Sequence, residues 1–242
     1  MLKSLWRAGA AKNAIFLADY AINPLGVKSD AAIADVVESW LAQAAAVSDT
    51  LVIACNTLSI RYRQLFGSAT APEGLSRIIS MADCFEAMVR AEAEQLAGKN
   101  VLIIGTEFTA SQVLYAEIVE SACTDASVHT VAATDLERKI DRFESWGGAA
   151  DSSLTAELGQ AIERTDVAVL ACTCFPMISD DLEALFPGVL FLDPGAYCAG
   201  LVPAHDETNN KTLSISVTGE EISRARVTEF AESYLGVKTC CT

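Results

Sequence analysis

Two cysteines lie in nearly identical sequence contexts, and both could take part in proton transfer. Cys55 follows the apolar run Leu51-Val-Ile-Ala and precedes Asn-Thr, while Cys172 follows Val167-Ala-Val-Leu-Ala and precedes Thr-Cys-Phe-Pro. An apolar run that ends at a thiol predicts a buried strand whose carboxyl end carries the sulfur, where open α/β sheets bind ligands. If the two copies face each other across a cleft, one thiol can remove a proton and the other can return one.

This chemistry sets two expectations for the thiols. Sulfurs separated by roughly 6 to 10 Å leave room for one reacting carbon, because each reacting distance is near 3 to 3.5 Å. The thiol of a free cysteine has a pKa of about 8.5, and the N-terminus of a helix lowers that pKa. Because Cys55 and Cys172 are both predicted in strand-to-helix turns, we expect that environment to favour their thiolate forms.

The elements that position these thiols alternate between strand and helix, which predicts an α/β fold with mainly parallel sheets. Strands are predicted at Ala14 to Ala18, Leu51 to Ala54, Arg77 to Ser80, Val101 to Gly105, Val128 to Ala132, Val167 to Ala171, Val189 to Leu192 and Leu213 to Val217. Helices are predicted at Ser29 to Ala46, Phe85 to Leu96, Ser111 to Ala122, Ser153 to Arg164, Asp180 to Leu185 and Glu220 to Leu235.

Aligning the two halves of the chain on the cysteines reveals an internal repeat. It predicts two pseudo-symmetric βαβ lobes with a cleft between them. The first lobe comprises residues 1–96 plus 208–242, and the second comprises residues 97–207, with a polar linker from His205 to Lys211. The second half begins with a strand and loop, Val101 to Thr109, that the first half lacks. The equivalent strand would lie before Met1 and would be a central one.

Charge and composition exclude several classes of partner. The 242 residues are 51% hydrophobic and carry 17 Lys and Arg against 32 Asp and Glu, for a net charge of −15, with no clustered basic run. We therefore expect no nucleic-acid partner, and any carboxylate ligand must be held by local N–H groups and hydroxyls. No segment approaches a membrane span of ~20 apolar residues, so we expect a cytoplasmic protein with no membrane partner and eight reduced cysteines.

Six short motifs, in order along nearly the whole chain, resemble those of the cofactor-independent aspartate/glutamate racemase superfamily, and most of all those of glutamate racemases. The motifs are Asp19 to Gly26, Ala54 to Thr57, Ile104 to Glu107, Ala171 to Pro176, Asp193 to Ala196, and Val217 to Gly219 with the last helix. The resemblance implies an isomerase that racemises a small acidic amino acid between two cysteines. It also implies that the enzyme needs no cofactor and forms a homodimer.

The resemblance also implies roles for individual residues. Cys55 and Cys172 become the catalytic acid–base pair, and no metal is expected. The α-carboxylate and the developing enediolate would be held by residues that could otherwise cap helices or shape turns. The substrate-binding candidates are Pro24, Gly26, Asn56, Thr57, Thr106, Thr109 and Thr173, and the accessory candidates are Cys174 and Asp19.

The chain departs from the family pattern at several places. The family's N-terminal Asp-Ser-Gly loop, with its acid, would precede Met1, and Cys174 stands where the family has a histidine. Leu25 replaces a tyrosine. The family's second-lobe glutamate has three candidate counterparts, which are Asp135, Glu137 and Asp141. Because both thiols lose a proton-transfer partner, we expect weak activity on glutamate.

Other functions fit parts of the same pattern. The superfamily's decarboxylase and cis–trans isomerase branches imply chemistry at one cysteine only, and a non-catalytic protein would bind a carboxylate without turnover. The further thiols Cys174, Cys198 and Cys84 raise a metal alternative. Four thiols around the cleft could hold Zn²⁺ or an iron–sulfur cluster, and they would be those of Cys55, Cys172, Cys174 and Cys198. The Cys-x-Cys spacing is not the Cys-x₂-Cys pattern of structural metal sites, so the sequence favours the racemase over the metal site.

Overall fold

The computed structural model describes residues 1–10, 13–67, 71–142, 152–203, 212–219 and 224–236, and strands and helices alternate along most of them. The strands are β1 (Asn13–Asp19), β2 (Thr50–Ile53), β3 (Arg77–Ser80), β4 (Asn100–Gly105), β5 (Ser127–Ala132), β6 (Val167–Leu170), β7 (Leu190–Leu192) and β8 (Thr212–Thr218). The helices are α1 (Leu2–Arg7), α2 (Asp30–Ala45), α3 (Asn56–Phe66), α4 (Met81–Ala91), α5 (Ala93–Leu96), α6 (Glu107–Ser111), α7 (Leu114–Ala122), α8 (Thr134–Asp141), α9 (Ser152–Glu163), α10 (Ser179–Leu185) and α11 (Arg224–Leu235).

The second half of the chain forms a four-stranded parallel sheet in the order β5-β4-β6-β7. The central strands β4 and β6 are almost wholly buried, as their uninterrupted apolar runs require when helices cover both faces. Alternate side chains of β4 lie on opposite faces of the sheet. Val101 and Ile103 pack with α4 and α7, whereas Leu102 and Ile104 pack with α8 and α10.

The first half pairs its strands differently, in two separate two-stranded parallel sheets. β1 pairs with the C-terminal strand β8, and β2 pairs with β3. By the internal repeat β1 and β2 correspond to β5 and β6, between which β4 lies in the second half. No described strand occupies that position between β1 and β2. β2 is accordingly only half-buried along most of its length, whereas β6 is buried throughout.

Helices from both halves close the core around these sheets. Phe85 of α4 stacks on Tyr115 of α7 with ring centroids 4.2 Å apart, which joins the two halves directly. In the first half, α2 and α3 cover β2, with Ile33 and Val37 buried against Ile53. Among the described residues, no helix combines the length and the apolar character that a bilayer crossing requires.

The α/β fold with mainly parallel sheets is as predicted, and every predicted strand ends within one residue of its observed bounds. The prediction gave no bounds for α1, α3, α6 and α8, although it placed Cys55 in a strand-to-helix turn, and it merged α4 with α5. It missed α8 because that helix buries only Leu136 and Ile140, too few apolar residues for a clear period. The predicted linker and the first residues of the last predicted helix lie largely outside the described residues, and the division into two lobes stays a prediction.

Candidate active site

Cys55 lies at the junction between β2 and α3, where it is the N-cap residue. Burial is the main cause that raises the pKa of its thiol from 9.0 to about 12. The backbone N–H groups of Leu58 and Thr57 lower this pKa, and the nearby Cys172 and Glu137 help to raise it. The expectation of a lowered pKa at Cys55 is therefore wrong. Loss of water around the sulfur outweighs the N-terminus of the helix, so this thiol is protonated until another group stabilises its thiolate.

Cys172 follows β6 and enters a tight turn rather than an α-helix. The turn is closed by the Phe175 N–H, which donates to the Cys172 carbonyl at 3.1 Å, and a 3-10 segment, Phe175–Ile178, precedes α10. The expected strand-to-helix environment is thus absent at Cys172. The Cys172 thiol instead contacts the thiol of Cys174, whose Sγ lies 3.4 Å from the Cys172 Sγ. That contact and burial raise the pKa of Cys174.

The carboxyl ends of β2 and β6 meet through a hydrogen bond between the two cysteine segments. The Thr173 hydroxyl donates to the carbonyl of Ala54 at 3.0 Å. One of these residues follows Cys172 and the other precedes Cys55, so the repeated segments lie side by side. The charge of Cys172 acts on the thiol of Cys55 across this junction. The predicted separation between the two sulfurs stays a prediction.

Three threonine hydroxyls from both halves form a cluster next to this junction. The Oγ1 atom of Thr57 lies 3.2 Å from that of Thr106 and 3.3 Å from that of Thr109. Thr106 is the N-cap of α6, and its hydroxyl accepts the Thr109 N–H at 3.3 Å. Thr106 thus has a capping role as well as a place in the cluster, whereas Thr57 lies inside α3 and caps nothing.

Asn56 is almost fully buried beside Cys55 and is also inside α3 rather than at its cap. The Tyr115 hydroxyl donates to its Oδ1 at 2.7 Å. Its Nδ2 has no hydrogen-bond partner in the described part of the chain. A buried amide N–H that lacks an acceptor costs about 1–3 kcal/mol, so the Asn56 side chain retains a donor that no described group uses.

The segment that contains Pro24 and Gly26 packs against the second half. A Cβ added to Gly26 would lie 2.9 Å from the Cβ of Phe108 in α6, so only glycine allows this approach without a shift. Arg61 of α3 holds the segment by donating to the Lys28 carbonyl at 2.6 Å. Asp19, at the end of β1, accepts the Ala21 N–H at 3.1 Å, a local turn contact.

The charge of Asp141 acts on the Cys174 thiol, and the charge of Glu137, also on α8, acts on the thiols of both Cys55 and Cys174. Burial and the neighbouring Asp141 raise the pKa of Glu137 from 4.5 to about 7. Its charge in turn raises the pKa of Cys55 and of Cys174. Asp135 is instead largely exposed and pairs with Arg138 at 3.1 Å. The sequence contained one usable signal, because Glu137 is adjacent to Leu136, which with Ile140 forms the buried face of α8.

Cys84, Cys198 and two cavities in the described part of the chain lie apart from Cys55 and Cys172. Cys198 is hydrogen-bonded to Cys84 in a separate buried cluster, so the four-thiol metal set does not assemble. Within the described ranges, no three His, Cys, Asp or Glu side chains are placed to share a metal ion. Two cavities of about 290 and 250 Å³ are present, and neither is lined by Cys55 or Cys172.

Comparison with known proteins gives a consistent result. The family model for Asp/Glu/Hydantoin racemases matches residues 17–202. A glutamate racemase of Glaesserella parasuis is 24% identical over 186 residues, which is 75% of this chain and 67% of that protein. One from Rhizobium meliloti is 26% identical over 196 residues, which is 74% of this chain and 65% of that protein.

Solved structures extend the likeness to the fold. The glutamate racemase from Campylobacter jejuni superposes with a TM-score of 0.80 at 22% identity, covering 98% of this chain and 93% of that one. The enzyme from Francisella tularensis, solved with D-glutamate, gives a TM-score of 0.76 at 18% identity and covers 99% and 89%. At these identities the structures establish a shared fold.

Proposed function

The chain belongs to the Asp/Glu/Hydantoin racemase family, of racemase-type isomerases, and we propose that it racemises a small acidic amino acid, of the glutamate or aspartate type, by proton transfer between Cys55 and Cys172. The observation that carries the proposal is the hydrogen bond from Thr173 to Ala54, which joins the two cysteine segments. No cofactor is invoked. A homodimer is expected from the resemblance and stays a prediction.

In this mechanism the two thiols serve opposite faces of the substrate α-carbon. The thiolate of one cysteine takes the α-proton, and the thiol of the other donates a proton to the opposite face of the resulting enediolate. One turnover inverts the centre and exchanges the protonation states of the two sulfurs. Cys174 lies close enough to Cys172 to give or accept a hydrogen bond, and Glu137, with a pKa of about 7, can exchange protons with the site near neutral pH.

Neutral donors would bind the substrate. The unpaired Nδ2 of Asn56 and the hydroxyls of Thr57, Thr106 and Thr109 offer hydrogen bonds to carboxylate oxygens and to the enediolate. Thr173 would add a further hydroxyl once a ligand separates it from Ala54. The segment with Pro24 and Gly26 would cover the ligand, and Asp19 stays an accessory candidate at the end of β1.

The pKa of Cys55 sets the main energetic demand of this mechanism. A rise from 9.0 to about 12 disfavours the thiolate by about 4 kcal/mol. The ammonium group of a bound amino acid would offset part of this cost, because a nearby positive charge stabilises a thiolate. Without a histidine at position 174, we expect slow turnover of glutamate, since a missing acid–base partner typically costs 10²–10⁴-fold.

Exchange of the α-hydrogen in D₂O tests the proposal. Purified protein is incubated with each enantiomer of glutamate and of aspartate, and deuterium incorporation and optical inversion are followed by NMR and chiral chromatography. Cys55→Ser and Cys172→Ser should each abolish racemisation, because one base cannot serve both faces. Cys123→Ser provides the matched control, since Cys123 lies at the end of α7 in a different buried cluster from Cys55 and Cys172, where its thiol donates to the Ala93 carbonyl.

Three outcomes would contradict the proposal. Racemisation that survives in Cys55→Ser would rule out the two-cysteine mechanism. Conversion of a substrate that depends on Cys172 alone would favour one-cysteine decarboxylase or cis–trans isomerase chemistry. Saturable binding of a dicarboxylate without any exchange would make the protein a binding protein.

A further inference from the structure

Cys172 and Cys174 form a close pair of thiols in an irregular segment. Their Sγ atoms lie 3.4 Å apart, in the turn that the Phe175 N–H closes on the Cys172 carbonyl. Both side chains are half-buried rather than enclosed. A disulfide requires a sulfur–sulfur distance of about 2.0 Å, so the two sulfurs must approach each other by about 1.4 Å for the bond to form.

We propose that this pair is a reversible oxidation site, at which hydrogen peroxide or a related hydroperoxide converts Cys172 and Cys174 into an intramolecular disulfide. The thiolate of one cysteine attacks a peroxide oxygen, the O–O bond breaks, and a sulfenic acid and water form. The second sulfur then attacks the sulfenic sulfur and releases a second water. Two thiols and one peroxide thus give one disulfide and two waters, and a dithiol reductant reverses the reaction.

Access to solvent distinguishes this pair from the other close thiols. Cys84 and Cys198 are also hydrogen-bonded to each other, but both are fully buried, in a cluster with Leu5, Ile79 and Met81. An oxidant must reach the sulfur, so oxidation selects accessible thiols. The structure therefore predicts selective oxidation at the Cys172–Cys174 turn.

The disulfide would also change the reaction at this site. An oxidised Cys172 has no proton to give and no thiolate to accept one, so oxidation would stop a reaction that uses both cysteines. This consequence rests on the proposed function, whereas formation of the bond does not. Two separate measurements therefore test the two claims.

The bond is tested on the full-length reduced protein. After exposure to a small excess of hydrogen peroxide, free thiols are alkylated and counted by intact mass, and the peptide carrying both cysteines is sequenced. We expect two fewer alkylated thiols, a peptide lighter by about 2 Da, and full recovery with dithiothreitol. Cys198→Ser should behave as the wild type. Cys174→Ser and Cys174→Ala should instead trap the Cys172 sulfenic acid, which dimedone labels.

The outcomes separate the two claims. Loss of two alkylatable thiols in Cys174→Ala, direct conversion of wild-type Cys172 to sulfinic acid, or intermolecular cross-links would overturn the oxidation site. If the disulfide forms and racemisation continues, the two-cysteine mechanism fails while the oxidation site stands. Activity that peroxide abolishes without forming the disulfide would count against the oxidation site alone.

Discussion

Replacing Glu137 with glutamine should stabilise the protein at high pH. Burial and Asp141 raise the pKa of Glu137 from 4.5 to about 7. Below pH 4.5 the carboxyl is protonated in both states and costs the fold nothing. Between those values the unfolded chain releases the proton while the native state keeps it, so stability falls as the pH rises. Above pH 7 the native state pays the full cost of the buried charge, which Glu137→Gln removes.

The size of the effect follows from the same pKa change. A carboxyl that titrates at 4.5 in the unfolded chain and about 7 in the folded one disfavours the native state by about 3 kcal/mol above pH 7. The side chain is only partly shielded from water, so we expect about 1–2 kcal/mol in practice. The stabilisation by Glu137→Gln should therefore increase by roughly 1 kcal/mol between pH 5.5 and pH 8.5. Both pH values lie above the isoelectric point near 4.5.

Urea unfolding followed by circular dichroism at those two pH values measures the effect. The quantity compared is the free energy of unfolding of the variant minus that of the wild type, which cancels the other titrating groups. Glu120→Gln is the matched control, because Glu120 is exposed on α7 and its replacement should shift stability equally at both pH values. The reasoning about a buried carboxyl is wrong if the free-energy difference between Glu137→Gln and the wild type is the same at pH 5.5 and pH 8.5, or if it falls as the pH rises.

Two further predictions concern the fold. Backbone amides of β2 should exchange with deuterium faster than those of β6, because among the described strands β2 pairs only with β3 and is less buried than β6. Equal protection in exchange mass spectrometry would show that the other edge of β2 is covered. Gly219→Ala should lower the melting temperature by the equivalent of about 1–3 kcal/mol, because its φ is +89° and a Cβ would lie 2.6 Å from the Ala21 nitrogen. Gly188→Ala, with open space around it, should melt as the wild type does, and equal melting of both variants would contradict the strain.

The sequence predicted the strand ends accurately because apolar runs bounded by polar residues depend only on local order. Val167 to Ala171 and Arg77 to Ser80 needed no knowledge of their neighbours to be placed. Helix α8 could not be found in this way, since its stability comes from Leu136 and Ile140 packing on a core formed by distant segments. The sequence offered Glu137 only as one of three acidic candidates, and it could not give the raised pKa of Glu137, because that pKa depends on the same packing.

The thiols show where local reasoning fails. The position of Cys55 at a helix N-terminus was readable from the sequence, and the sign of its pKa shift was not. Desolvation depends on which side chains pack around the thiol, and Cys55 packs against a cluster that includes Ile33 and Val37 of α2, which are distant in sequence. The contact of Cys174 with Cys172 likewise depends on the turn at residues 172–175, which replaced the expected helix.

The net charge of the protein bears on how the proposed site would bind an acidic substrate. With 32 acidic and 17 basic residues, the surface repels a dicarboxylate at long range, so affinity must arise from contacts inside the site. Tyr115 donates to the Asn56 Oδ1 and thereby occupies the acceptor of that amide, leaving the donor Nδ2 unpaired in the described part of the chain. Only an acceptor can satisfy that N–H, and a carboxylate oxygen is a strong one. Binding an acidic substrate would therefore give the buried Asn56 N–H the hydrogen bond that no described residue provides. This hydrogen bond would form next to Cys55, whose thiol must lose its proton in the proposed mechanism.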